Sequence, residues 1–252
     1  MLGLTKLSPS WMWAACGKHP AARDFFRVGQ NFPLLRIFSG WVDDGYNMLA
    51  QKNNNSMLNS WRFWAKGAVP ESLICGLVKD SSDSIGRNYP FLIIGTGFLR
   101  GWEEQWDLMP LACENIWSEI EYITTQNFND LKKLETEVKN IRQPQPEWQE
   151  LRSKKDSFHD DVSTFQEISG LSQEKKEILI PLDQDSHHDQ NLLISHWHSL
   201  FRNSVKMIPN TVFMGESFGR SFVGFYKRPL TPFDFIQLWM AGLNIENGRI
   251  TQ

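Results

Sequence analysis

Long apolar runs are missing from this sequence. No stretch approaches the 18 or so consecutive apolar residues that a membrane-spanning helix requires, and the first ten residues, MLGLTKLSPS, lack the basic start and apolar core of a secretory signal. Cysteine is scarce as well: Cys16, Cys75 and Cys113 are odd in number and widely spaced, which argues against a disulfide framework. The sequence therefore predicts a soluble, cytoplasmic protein with reduced cysteines and no direct membrane insertion.

A strong net charge is also missing. The sequence has 26 Lys and Arg against 29 Asp and Glu, a net charge of −3, so we expect no general attraction to nucleic acid or anionic lipid. The signs are unevenly spread, because residues 1–100 hold 11 of the basic residues and only 6 of the acidic ones. This asymmetry fits a charged partner surface, and it fits pairing of charges inside the molecule equally well.

Apolar residues, by contrast, are abundant. Hydrophobic residues make up 41% of the 252 residues, with 11 Trp and 17 Phe, which is enough for a large core. Short, nearly continuous apolar runs predict strands, and apolar residues that recur every three or four positions predict helices. The predicted strands are 10–16, 72–78, 90–98 and 177–182 with a hairpin at 211–226, and the predicted helices are 31–50, 102–125, 127–142, 191–204 and 231–243.

The order of these elements predicts the fold class. Because the apolar runs are nearly continuous, we expect a sheet that is covered on both faces. Strands interleaved with helices then favour a three-layer α/β/α sandwich with a mixed sheet. We expect a single domain over residues 1–252, with a helical insertion at about 103–175 whose charged last part, about 147–175, forms a peripheral helical excursion.

The stretch 81–97, SSDSIGRNYPFLIIGTG, is the clearest candidate for a functional site. It changes within a few residues from small and polar to almost wholly apolar, as a loop does when it enters a buried strand. Asp83 can accept hydrogen bonds from its own turn, Gly86 supplies backbone freedom, and Arg87 carries a planar set of donors. This arrangement suits a binding surface, and it also suits a purely structural turn in which Arg87 bonds to Asp83 and to loop carbonyls.

Several motifs resemble catalytic sites without meeting their requirements. Gly17 and Lys18 lack the preceding glycine and the following hydroxyl residue of a phosphate-binding loop. Ser217 lies in a formal G-x-S-x-G motif, but a strand follows it where a nucleophile elbow needs a helix. His187 and His188 are adjacent and cannot converge on one metal as residues four apart on a helix do. We therefore expect no metal and no cofactor, with an enzyme centred on Ser217 or on His187/His188 as the alternative.

Four motifs follow one another in the first hundred residues: Gly17-Lys18-x-Pro20 with Asp24-Phe25, then Trp41 in a helix, then Trp61-Arg62-Phe63, then Asp83-x-x-Gly86-Arg87-x-Tyr89-Pro90. Taken together, they resemble the TagF (ImpM) family of type VI secretion-associated proteins. The chain departs from the family pattern at Arg23, where the family usually carries glycine, and at residues 80–84.

This resemblance implies a non-enzymatic, post-translational repressor of type VI secretion. The implied partner is the forkhead-associated (FHA) scaffold protein of the secretion system, in the cytoplasm. A third possibility is a structural subunit of the secretion machine. The candidate interface or motif residues are Lys18, Arg23, Asp24, Trp61, Asp83 and Arg87.

Overall fold

The computed structural model of the chain describes residues 11–50, 59–157, 175–182, 190–205 and 207–246. Within these ranges eight strands form one sheet and eight α-helices accompany it, so the predicted α/β class is confirmed. None of these helices is both long and apolar enough to cross a membrane. The strands are β1 (Met12–Gly17), β2 (Phe26–Gly29), β3 (Asn59–Lys66), β4 (Ser72–Lys79), β5 (Phe91–Phe98), β6 (Glu177–Leu182), β7 (Thr211–Ser217) and β8 (Arg220–Tyr226). The helices are α1 (Pro33–Ala50), α2 (Met109–Ala112), α3 (Glu114–Thr125), α4 (Leu131–Asn140), α5 (Trp148–Asp156), α6 (Gln190–Ser204), α7 (Pro232–Trp239) and α8 (Ala241–Glu246), with a 3₁₀ turn at Trp106–Leu108 before α2.

Every pair of neighbouring strands in this sheet is antiparallel, in the order β2-β1-β5-β4-β3-β7-β8-β6. Gly17 lies opposite Phe91 between β1 and β5, and Phe63 lies opposite Phe213 between β3 and β7. The predicted mixed sheet is therefore wrong. Nearly continuous apolar runs indicate that both faces of a strand are covered, but they do not indicate whether the neighbouring strands run parallel or antiparallel to it.

Both faces of the sheet carry a hydrophobic cluster. In β1, Trp13 and Ala15 pack in a cluster that also holds residues of α2, α3, α4 and α6, whereas Ala14 and Cys16 pack in a second cluster with α1 and α7. This alternation follows from the two-residue period of strand side chains. The apolar runs are continuous because each face of the sheet has its own core.

The helices α3 and α4 are not peripheral. Trp117 of α3 is fully buried, and its Nε1 donates a hydrogen bond to the carbonyl of Gly76 in β4 at 3.0 Å. Leu134 and Val138 of α4 are also fully buried, and α4 packs against β1 and β2. The polar residues of α4 occupy only its outer face. The predicted peripheral excursion at about 147–175 begins with α5, which has no fully buried residue. Residues 158–174, the rest of the predicted insertion, lie outside the described residues.

Helix α7 begins with a capping box formed by Thr231 and Asp234. The backbone N–H and the hydroxyl of Thr231 donate to Asp234 Oδ2 at 2.7 and 3.0 Å, and Pro232 occupies the first turn. Asp234 is fully buried, and Arg228 donates to both of its carboxylate oxygens at 2.7 Å. These bonds tie the start of α7 to the end of β8.

Candidate functional site

Two loops meet where β1 ends and β5 begins, at the position where the sequence predicts a site. Antiparallel pairing places the end of β1 beside the start of β5, so the loop after β1 and the loop between β4 and β5 lie together. The backbone N–H of Ser84 in the second loop donates to the carbonyl of Ala22 in the first at 2.9 Å. Lys18, Arg23 and Asp24 therefore come close to the turn at residues 83–87.

Asp83 is the centre of this region, and its side chain is fully buried. Its Oδ1 accepts hydrogen bonds from the backbone N–H groups of Ile85 at 3.2 Å and Arg87 at 2.9 Å. Its Oδ2 accepts from Arg87 Nε at 2.8 Å and lies 3.1 Å from Lys18 Nζ. Burial alone would raise the pKa of Asp83, but these donors outweigh it and hold the pKa well below its usual range. Asp83 is thus an ionised cross-link between the two loops.

Arg87 extends this network to the surface. Its Nη2 donates to the carbonyl of Arg23 at 2.8 Å and lies 3.4 Å from Asp24 Oδ1. The Arg87 side chain is still 49% exposed, and that of Asp24 is 67% exposed. The structural role predicted for Arg87, bonding to Asp83 and to a loop carbonyl, is confirmed. The guanidinium also leaves part of its surface open to solvent.

Burial separates the predicted site residues into two groups. Lys18 is buried, with its Nζ 5.0 Å from the ring centre of Phe25. Lys18 and Asp83 therefore hold the two loops together from inside the protein, below the exposed side chains. We call the exposed residues above them, Arg23, Asp24, Phe25 and Arg87, the loop surface.

Trp61, predicted as an interface or motif residue, does not belong to the loop surface, and of these two roles its burial excludes the first. It lies in β3, is fully buried, and packs in the second hydrophobic cluster with its ring centre 6.1 Å from that of Phe222. A side chain in this position cannot contact a partner of the folded protein. Phe63 and Trp64 are fully buried as well, because β3 is a central strand of the sheet.

A cleft of about 460 Å³ lies beside the loop surface. Phe25 and Tyr89, whose ring centres are 4.6 Å apart, form part of its wall. The Tyr89 hydroxyl donates to Asp43 on α1, and burial raises the pKa of the Cys16 thiol in the wall to about 12. A thiol with so high a pKa stays protonated and is a poor nucleophile.

Of the two predicted catalytic alternatives, only Ser217 lies among the described residues. Ser217 is fully buried at the end of β7, where its hydroxyl oxygen accepts from the backbone N–H of Gly242 at 3.3 Å. The hairpin predicted at 211–226 is confirmed, so no helix follows this serine directly. His187 and His188 lie outside the described residues. Within the part of the chain that the structure describes, no three His, Cys, Asp or Glu side chains are grouped as metal ligands would be.

Sequence reasoning missed a second charged site, which we call the Asp107 cluster. The Asp107 side chain is 2% exposed and lies 2.7 Å from Arg152 Nη1 and 2.6 Å from Lys155 Nζ, both on α5. Arg202 of α6 donates to its other oxygen, and the Ser199 hydroxyl donates to Oδ2 at 3.1 Å. Burial would raise the pKa of Asp107, but the donors and positive charges of Arg152 and Lys155 hold it well below its usual range. The other members lie 45 to 95 positions from Asp107 in the sequence, so no local motif connects them to it.

His198, which precedes Ser199 of the Asp107 cluster on α6, is buried in a neutral form. Trp64 Nε1, which can only donate, lies 3.2 Å from His198 Nε2, so this nitrogen accepts. The proton is then on Nδ1, which donates to the carbonyl of Ile194 at 2.8 Å. Burial lowers the pKa of His198 to about 4, because a protonated ring would lose its hydration and its Nε2–H would face the Trp64 N–H.

This environment predicts that acid destabilises the protein through His198. In the unfolded chain the pKa returns to about 6.5, so the unfolded state binds more protons between the two values. The free energy of unfolding should therefore fall by about 3 kcal/mol as the pH drops from 6.5 to 4. Urea unfolding at a series of pH values measures this slope. His198→Phe should flatten it, and an unchanged slope in that variant would assign the effect to other groups.

Comparison with known proteins relates the chain to a family and to a solved structure. The model of TagF_N, the TagF N-terminal domain, type VI secretion system-associated, matches residues 14–143, just over half of the chain. The crystal structure of PA0076 from Pseudomonas aeruginosa PAO1 is similar with a TM-score of 0.50 and 15% sequence identity, over 90% of this chain and 93% of that chain. At this identity the similarity concerns the fold. No curated protein matches the chain.

Proposed function

Because the chain belongs to the TagF family of type VI secretion system-associated proteins, we propose that it is a post-translational repressor of type VI secretion. The repressor acts without catalysis, by binding the FHA-domain scaffold protein of the same system in the cytoplasm and preventing its assembly into the apparatus. The family membership supports the secretion pathway. The partner and the direction of regulation are our proposal.

The observation that carries the proposal is the loop surface. It presents charges of both signs, Arg23, Asp24 and Arg87, beside the exposed ring of Phe25. A surface with both signs of charge discriminates between partners, because a wrong partner meets like charges. Arginine and aromatic side chains are also the types that contribute most to protein interfaces.

The buried ions below this surface hold it in place. Asp83 fixes Arg87 through its guanidinium and its backbone, and Arg87 fixes the Arg23 backbone. Loops that are ordered before binding lose less conformational entropy when a partner docks. This supports a docking role for the loops, with Lys18 and Asp83 as positioning residues and Arg23, Asp24 and Arg87 as contact residues.

Charge reversal on the loop surface tests the proposal. The double variant Arg23→Glu, Asp24→Arg should keep the fold, since both side chains are exposed, but should lower the affinity for the FHA protein by at least about tenfold because two charge contacts become repulsive. Full-length protein and the FHA protein of the same secretion locus are mixed, and binding is measured by calorimetry. Thermal unfolding checks the fold.

A matched reversal elsewhere is the control. Arg142 and Glu119 form an ion pair at 3.2 Å near the C-terminal end of α4, and the double variant Glu119→Arg, Arg142→Glu should bind as the unchanged protein does. Equal affinity in both double variants would remove the loop surface from the interface. No association with the FHA protein at micromolar concentration would contradict the proposed partner.

The other two functions considered from the sequence make different predictions. An enzyme centred on Ser217 or on His187/His188 would hydrolyse a simple ester or retain a metal ion through purification. The buried, hydrogen-bonded state of Ser217 does not favour the first of these. A structural subunit would remain in the assembled secretion machine at fixed stoichiometry, whereas a repressor would be absent from it.

A further inference from the structure

The Asp107 cluster has more positive charge than its own acid can neutralise. Arg152, Lys155 and Arg202 all pair with the single carboxylate of Asp107. Among the described residues, no second carboxylate forms an ion pair with any of the three cations. Three like charges held within a few ångströms repel one another, and one carboxylate offsets only part of this repulsion.

The other buried carboxylates show what a balanced group looks like. Around Asp83, two cations face two carboxylates. Around Asp234, Arg228 faces both Asp234 and Glu177. The Asp107 cluster differs from the groups around Asp83 and Asp234 because it has two more positive charges than negative ones.

The surplus charge is directed toward solvent. Asp107 is 2% exposed, whereas the side chains of Arg152 and Arg202 are 34% and 38% exposed. Each guanidinium has five N–H donors. Arg202 donates one of them to Asp107, and Arg152 donates three of them to Asp107 and Gln105. Both arginines therefore keep donors for a further acceptor.

The buried acid also fixes the orientation of these donors. Arg152 makes a two-pronged contact with Asp107, with Nη1 and Nη2 at 2.7 and 3.2 Å from the two oxygens. Such a fork holds a guanidinium plane in one orientation. Lys155 is held between Asp107 and the Ser199 hydroxyl. Two arginines and a lysine, contributed by α5 and α6, are thus arranged before any ligand binds.

From this arrangement we propose that Arg152, Lys155 and Arg202 form a binding site for a phosphate group. A phosphate monoester carries a charge of about −1.5 to −2 near neutral pH and has three strongly accepting oxygens. That charge matches the surplus of the cluster, whereas a carboxylate would neutralise only half of it. Arginine donors suit phosphate oxygens in particular. The ligand is a small soluble molecule with a phosphate group, or free phosphate itself.

Titration with inorganic phosphate tests the site. The full-length chain is titrated by calorimetry, with sodium chloride keeping the ionic strength constant. Saturable binding is expected, and Arg202→Gln should weaken it by about tenfold because one charged donor is lost. Arg202→Lys, which keeps the charge, should bind with intermediate affinity. Glycerol 3-phosphate, titrated in the same way, distinguishes the two sources: tighter binding than phosphate indicates a phosphate ester, and weaker binding indicates free phosphate.

The control variant is Arg142→Gln, which removes the same charge from an exposed arginine near the C-terminal end of α4. It should bind phosphate as the unchanged chain does. Should Arg202→Gln fail to fold, Arg152→Gln takes its place in the comparison. The proposal is overturned if phosphate has no effect beyond that of chloride, or if Arg142→Gln and the cluster variants lose the same affinity.

Discussion

Gly17→Ala is expected to destabilise the protein by on the order of 4 kcal/mol, a large fraction of the roughly 5–15 kcal/mol by which ordinary domains are stable. Gly17 has φ of +116°, which L-residues rarely adopt. A Cβ built on it would lie 2.1 Å from the carbonyl oxygen of Pro90, a backbone atom immediately before β5. Backbone strain and a clash that no side-chain rotation relieves therefore add together.

Urea unfolding measures this loss, and Gly86→Ala is the control within the same site. Gly86 also has positive φ, +82°, but nothing lies within 4 Å of the point that its Cβ would occupy. Only the left-handed backbone penalty of about 1 kcal/mol is expected there. Similar losses in the two variants would show that backbone conformation alone, rather than the contact with Pro90, governs both positions.

Asp107→Ala should lower the free energy of unfolding by about 3 kcal/mol, because removing one partner of a buried ion pair leaves uncompensated charge behind. Arg152, Lys155 and Arg202 would then face one another without an anion. Since part of this cost is repulsion between partly exposed cations, about 1 M sodium chloride, where the screening length is about 3 Å, should recover some of the lost stability.

The exposed carboxylate of Asp156, on the same helix α5, supplies the matched control. Asp156→Ala should change the free energy of unfolding by less than about 0.5 kcal/mol. Urea unfolding of both variants at low and high salt makes the comparison. If the loss in Asp107→Ala were independent of salt, packing and hydrogen bonds would account for it, and repulsion between the cations would not.

The local parts of the candidate site could be predicted from the sequence. Asp83 and Arg87 lie four residues apart in one turn, so their bonding follows from the turn itself. The approach of Lys18 depends on β1 pairing with β5, which no local pattern specifies. Burial also escaped prediction, because the same motif contains exposed Asp24 and buried Lys18.

The fold was predictable where hydrophobic patterns were strong. The strands β4 and β5 and the hairpin of β7 and β8 match their predicted ranges closely. Strand β2 was missed because it has only four residues and one buried side chain. The direction of neighbouring strands was not predictable either, since it depends on how distant segments meet and not on the composition of each.

The pairing of β3 with β7 bears on how the chain is synthesised. The matched family range ends at residue 143, yet β3 gains its second neighbour only from residues 211–217. While the ribosome makes the intervening chain, β3 remains an open edge with unpaired backbone groups, and Phe63 lacks its partner Phe213. Nascent chains with such edges are prone to associate with one another. We therefore expect the first half of this protein to be most prone to self-association during translation, until residues 211–217 have been made and pair with β3.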